Sequence, residues 1–202
     1  AAQKVYDFIW DVYCDWYIEL TKSRLQGEDA EAKINAQKVL CYVLTHILKL
    51  LHPFMPFLTE EIWQALPHEG DFLMLQRWPE HHVELDFPEE EKAMEMIMDA
   101  IGAVRTRRAE MNVPPSKRAH LTVSTLEQEV FTAGIPFLKR LGYGSDVTIT
   151  GVAESGSDAD QAAKGMVTVI THAARISMPM AELVDMEKER ARMEKELGKS
   201  RA

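Results

Sequence analysis

The sequence predicts a mainly α protein: a helical bundle, then a small α+β module, then a C-terminal helix of coiled-coil type. Three observations predict it. Apolar residues recur at three- and four-residue steps through the first half. After Asn112-Val113-Pro114-Pro115 the apolar period changes from helix to strand. The last stretch spaces Leu183, Met186, Arg190, Met193 and Leu197 three, four, three and four apart, as a coiled-coil seam does. The expected regions are 1–113 (helical), 114–179 (α+β) and 180–202 (the start of an arm).

In the first helix, Val5, Phe8, Ile9, Val12, Trp16 and Leu20 mark an inward face, and Gly27 closes it. The second helix runs from Glu28 to Leu51, with Ala32, Ala36, Val39, Leu40, Val43, Leu44, Ile47, Leu48 and Leu51 inward. Pro53 and Pro56 each remove a backbone donor, so this helix ends near Leu51, and Pro53 is expected to push His52 out of the helical region. Phe54, Met55 and Phe57 are too apolar to sit in water, and burying each contributes roughly 1.5–3 kcal/mol. The corner is therefore read as packed, with Trp63 part of that packing and Phe54→Ala costing roughly 3–5 kcal/mol.

The third helix carries Leu58, Ile62 and Leu66 on one face, with Glu60 and Glu61 in its first turn. A polar loop from Pro67 to Phe87 is stapled by Trp78-Pro79. Pro88 and Glu89 to Glu91 open a fourth helix with Met94, Ile97, Met98, Ile101 and Val104 inward. Four short strands follow, centred on Leu121-Val123-Thr125, Val147-Ile149, Val167-Val169 and Ile176-Met178. Between the first two strands, Phe131, Ile135, Leu138 and Leu141 describe a helix that Gly134 and Pro136 bend or interrupt. Ser155-Gly156-Ser157-Asp158 with Asp160 reads as a turn, and Pro179 precedes the final charged helix.

With 202 residues, 46% hydrophobic, the chain has enough apolar material for one or two cores. No apolar run approaches the roughly 18 residues of a membrane span, and no basic leader precedes an apolar stretch. Cys14 and Cys41 lie inside helical patterns, which points to a reducing, cytoplasmic setting. The net charge of −9 is unevenly placed. Between Glu80 and Asp99, eight acids face Lys92 alone, a local net of −7, whereas between Ile101 and His120 five bases face Glu110, a local net of +4. A phosphate-facing surface needs such a local excess rather than overall basicity.

Three blocks carry a family likeness. They are Trp10-Asp11-Val12-Tyr13-Cys14-Asp15-Trp16-Tyr17-Ile18-Glu19, the corner from His52 to Trp63, and the charged run from Leu183 to Leu197. The pattern resembles the anticodon-binding domain of class I aminoacyl-tRNA synthetases. The last block is similar to the arm of the bacterial valine branch, departing from it at Met193, where that branch has leucine. The resemblance implies a helical-bundle anticodon-binding domain, tRNA(Val) as partner, and a catalytic domain in the same polypeptide that uses ATP with magnesium. It also implies a monomer, and an arm that rests as a helical hairpin on the outer corner of tRNA.

The chain itself carries no catalytic constellation. Neither a His-x-Gly-His nor a Lys-Met-Ser-Lys-Ser motif occurs, and Gly198-Lys199-Ser200 lacks the glycine a phosphate loop needs, because Met193 stands there. No metal is expected: Cys14, Cys41, His46 and His52 have no Cys-x-x-Cys spacing and fall on different helical faces. No cofactor is expected in this part of the polypeptide.

The candidate RNA-binding residues are Tyr17, Lys22, Arg24, Arg105, Arg107, Arg108, Lys117 and Arg118. Arg105, Arg107 and Arg108 end a helix, where cations also offset its dipole, so two readings stay open. Lys117 and Arg118 follow the double proline and either touch phosphate or keep a loop solvated. Lys22 and Arg24 close the first helix, Tyr17 could stack on an unpaired base, and Trp16 is better read as core. Two other readings remain: a coiled-coil scaffold that binds protein, and the isoleucine or leucine branch of the same family. The missing four-cysteine zinc tail speaks against the isoleucine branch.

Overall fold

The computed structural model describes residues 2–152 and 165–183, which fall into two compact units, one ending at Asp86 and one beginning at Phe87. The division places the fourth long helix with the sheet rather than with the preceding helices, so the change of unit comes before the double proline at 114–115. The expected turn at 155–160 and the coiled-coil arm beyond Leu183 lie outside the described residues.

The first unit opens with one helical run in three parts: α1 (Ala2–Asp7), a π-helical stretch (Phe8–Ile18) and α2 (Glu19–Leu25). The wider π turn rotates the inward face away from the one a 3.6-residue period gives. Tyr13, Leu20 and Thr21 are buried, whereas Phe8 and Val12 are exposed, contrary to expectation. α3 (Ala30–Leu51) is capped by Asp29, whose carboxylate accepts from the N–H groups of Glu31 and Ala32 at 3.0 and 3.1 Å.

α3 ends at Leu51 as the prolines require, but His52 keeps helical angles, φ −52 and ψ −40. The residue pushed out of the helical region is Met55 instead, with φ −138 and ψ 64 immediately before Pro56. One further turn is closed by the Phe54 and Met55 N–H groups donating to the Leu51 carbonyl at 2.9 and 3.0 Å. The Thr59 hydroxyl donates to the Met55 carbonyl at 2.8 Å, and its oxygen meets His52 Nδ1 at 2.7 Å. A single hydroxyl proton serves the carbonyl, so the imidazole donates from Nδ1.

α4 (Pro56–Gln64) buries Thr59 and Trp63 rather than Leu58 and Ile62, a register one residue on from the apolar pattern. Phe54 is 57% exposed, Met55 41% and Phe57 90%, so the corner displays its apolar residues instead of packing them. The hydrogen bonds of Thr59 tie its two sides together, with Leu48 and Trp63 of the flanking helices packed in the core. The core of this unit is Leu48, Trp63 and Leu73, with Leu44 and Leu66 against it. Leu73 anchors the loop that Trp78 was expected to staple; Trp78 is exposed. The Leu73 N–H donates to the Glu60 carboxylate at 3.0 and 3.3 Å. Gly70, at φ +89, brings the turn so close to Gln76 that a Cβ would stand 2.7 Å from its amide nitrogen.

The second unit packs α5 (Pro88–Glu110) with a four-stranded sheet. Met96, Ile97, Ala100, Ile101, Val104 and Arg108 are buried on α5, so Met96 and Ala100 replace the expected Met94 and Met98. The strands are β1 (Ala119–Thr125), β2 (Gly144–Thr150), β3 (Met166–Ile170) and β4 (Ala174–Pro179), as the period-two pattern predicts. Their order is β2-β1-β4-β3, with β1 and β2 parallel and the other two pairs antiparallel. The parallel pair needs a crossover, which α6 (Gln128–Ala133) and α7 (Ile135–Leu141) supply. The break between these helices is where Gly134 meets α5: a Cβ there would stand 2.8 Å from Ile97 Cδ1. A short helix, α8 (Met180–Leu183), follows β4.

Candidate nucleic-acid interface

In the first unit, Tyr17, Lys22 and Arg24 gather on the last turns of the opening helical run. The Tyr17 ring stacks on Tyr13 at 6.2 Å between centroids, with the planes 23° apart. Tyr13 is buried, and its hydroxyl donates to the Leu40 carbonyl of α3 at 3.0 Å. Burial first, and the nearby Cys14 second, push the Tyr13 hydroxyl up to about 12. Burial also raises Tyr17, and the Arg24 guanidinium partly opposes that shift, which makes Arg24 and Tyr17 electrostatic neighbours. Lys22 is tied to Glu19 one turn back. Arg24 is exposed and Trp16 half-buried. Tyr17 and Arg24 are thus neighbours, a half-buried ring and an exposed guanidinium, while Lys22 is paired with Glu19.

In the second unit, the arginines of α5 have three different fates. Arg108 continues the inward stripe and is 3% exposed. Its Nη2 donates to the Pro114 carbonyl at 3.3 Å and to the Lys117 carbonyl, and its guanidinium lies 5.1 Å from the Tyr143 ring centroid. Burial lowers its pKa, against the pull of Tyr143. It cannot reach a phosphate from there; it holds the 113–118 loop, a role that neither of its two open readings named. Arg107 is exposed and pairs with Glu110 at 2.9 Å. Arg105 is half-buried, donating from Nε to the Leu141 carbonyl at 2.8 Å.

Arg118 is exposed and donates from Nη1 to the Lys139 and Gly144 carbonyls at 2.9 and 3.2 Å. Lys117 is half-buried beside it. The carbonyl end of α7 therefore collects Arg105 and Arg118, as the negative end of a helix dipole should. Tyr143, at φ +57, turns its backbone there between Arg105 and Arg108. Lys139 pairs with Asp146 at 2.8 Å, and Arg140 is half-buried. The outcome is a basic patch in which Arg105 and Arg118 donate to backbone carbonyls, while Lys139 is paired with Asp146 and Arg107 with Glu110. Sequence reasoning missed Lys139, Arg140 and Tyr143, although Lys139 and Arg140 stand in the last turn of a helix pattern.

Among the described residues, no group of three or more His, Cys, Asp or Glu side chains could hold a metal ion. No described helix is long and apolar enough to cross a membrane.

Residues 1–123 match the family model of the anticodon-binding domain of tRNA ligases. The chain is similar to valine-tRNA ligases of Geobacillus stearothermophilus (43% identical over 98% of this chain), Carboxydothermus hydrogenoformans (42%, 98%) and Oceanobacillus iheyensis (41%, 98%). It spans 22% of the length of each of these relatives.

Proposed function

The chain belongs to the family of anticodon-binding domains of tRNA ligases, and from that premise we propose that it holds the anticodon arm of tRNA(Val) within a longer valine-tRNA ligase. One observation carries the reading. All eight candidate residues, from Tyr17 to Arg118, fall inside the matched stretch 1–123. In that role Tyr17 and Arg24 meet the unstacked loop, while Lys117, Arg118 and Arg105 neutralise backbone phosphates and set the register. Arg108 is a positioning residue for the loop that bears Lys117.

The similarity to valine-tRNA ligases favours valine over isoleucine or leucine. Catalysis belongs to the rest of the polypeptide, where ATP with magnesium activates valine before transfer to the tRNA. No residue of the present chain is assigned to that step. The cytoplasm, where tRNA charging takes place, is the proposed setting, and a single copy of the chain serves one tRNA.

Filter binding of tRNA(Val) across a salt series tests the reading, with a tRNA of another anticodon as control. Tighter binding of tRNA(Val), weakening as salt rises, is expected. Equal affinity for both tRNAs would sink the specificity assigned here.

A further inference from the structure

The geometry points to a base-stacking site on α3, in which Tyr42, paired with His46 and flanked by Lys38, receives one unstacked base of the bound RNA. The inference rests on the anticodon-arm reading above and names a site within it. Four observations carry it.

First, a cavity of about 440 Å³ opens along one stripe of α3, lined in part by Ile34, Gln37, Lys38, Tyr42 and His46. That volume lies within the range of small-ligand sites. Second, Tyr42 is a large ring left 45% exposed, with Ile34 beside it on the same stripe 50% exposed. Third, the ring is fixed rather than loose. His46 sits 4.1 Å from it between centroids, tilted 38°, and its Nδ1 lies 2.8 Å from the Tyr42 carbonyl. A carbonyl only accepts, so Nδ1 carries a proton and donates to it. One face of Tyr42 is thereby backed by imidazole, an arrangement that costs little ordering when a base adds to the other.

Fourth, the charge suits a nucleotide. In a chain of net charge −9, this lining contains no acid and places one ammonium, Lys38, beside the ring. The larger cavity of the second unit, beside α5 and β3, includes Asp99 and Glu110 with a single base, Arg107, and would repel phosphate. A base on Tyr42, its edge toward the Gln37 amide and its phosphate toward Lys38, uses each of these side chains for what it does best.

The test is fluorescence anisotropy with labelled tRNA(Val), using the wild-type chain, Tyr42→Ala, Tyr42→Phe and Lys38→Gln. These are surface positions, and circular dichroism checks that each variant keeps the fold. Tyr42→Ala is expected to weaken binding on the order of tenfold, the scale of one lost stack, while Tyr42→Phe binds as wild type. Lys38→Gln should make the salt dependence shallower by about one phosphate contact.

A series of tRNAs with one abasic loop position each supplies the second readout. At one position the abasic RNA should bind the wild type as weakly as normal RNA binds Tyr42→Ala, with no further loss when both changes are combined. If the wild type binds tRNA(Val) but every abasic change adds independently to Tyr42→Ala, the site is wrong and the anticodon-arm reading stands. If the wild type binds no tRNA at all, that reading fails and this one goes with it.

Discussion

Arg108→Ala separates structural arginines from RNA-facing ones. The side chain is 3% exposed, and its Nη2 donates to two loop carbonyls, Pro114 O at 3.3 Å and Lys117 O. Hydrogen bonds to a charged group contribute roughly 1.5–3 kcal/mol each, and the longer of these two belongs at the bottom of that range. Truncation also strips the contact with Tyr143 and takes a donor from the Lys117 carbonyl, whereas the Pro114 carbonyl keeps the Lys117 N–H at 3.1 Å. Against this, the buried Nη1 has no hydrogen-bond partner among the described residues, and removing the guanidinium relieves that unmet desolvation, on the order of 1–3 kcal/mol. The balance is a net loss of about 2–3 kcal/mol. Urea unfolding followed by circular dichroism measures it. Arg107→Ala, which breaks only a solvent-exposed pair, should stay within about 0.5–1 kcal/mol of wild type. Arg108→Met, which keeps the apolar stem without the charge, should fall between the two. If Arg108→Ala matches wild type while Arg107→Ala is the destabilising change, the assignment of Arg108 to the interior framework is wrong.

The exposed corner gives the opposite contrast: Trp63→Ala should cost about 3–5 kcal/mol in the same unfolding assay, whereas Phe57→Ala, at 90% exposure, should cost under about 0.5 kcal/mol. Gly134→Ala should destabilise by about 1–3 kcal/mol because the added methyl meets Ile97 Cδ1 at 2.8 Å, and Ile97→Val in the same chain should restore part of the loss. Tyr13 is neutral in the folded chain up to about 12, against an ordinary value near 10, so its contribution is complete below about pH 10 and drains away as pH rises toward 12. Unfolding measured between pH 9 and 12 should show that loss in the wild type and a smaller one in Tyr13→Phe; a parallel decline in both would contradict it.

Much of the fold is legible in the chain because its strongest signals are steric. The two prolines at 53 and 56 stop α3 regardless of context, and β1 alternates buried and half-buried residues along its whole length. Gly134 and Pro136 split the crossover because one brings α5 close and the other removes a donor. What failed to read through was the side a residue faces. Counting apolar residues on α4 selects Leu58 and Ile62, but Thr59, satisfied by Met55 and His52, can be buried at no polar cost, and the helix turns to seat Trp63. In the opening run the π stretch shifts the period, and nothing in the residues announces it.

The candidate interface was read least well, for the same reason. Arg108 follows Ile97, Ile101 and Val104 at steps of four, three and four, so its spacing marks it as buried, and only its charge argues for the surface. Tyr42 and His46 stand four apart on α3, a spacing that brings ring side chains together on one face and could have drawn notice to them. Arg105 and Arg118 converge only because α7 ends between them, a long-range event that local sequence does not encode.

The central claim is that this chain holds tRNA by its anticodon arm. Its most direct measurement is an anticodon transplant: the valine anticodon loop is placed in the tRNA of another amino acid, and binding is measured at fixed salt. The account predicts that the transplanted tRNA binds like tRNA(Val), and that tRNA(Val) carrying the foreign loop binds like the donor. If affinity instead follows the body of the tRNA and ignores the loop, the account is contradicted.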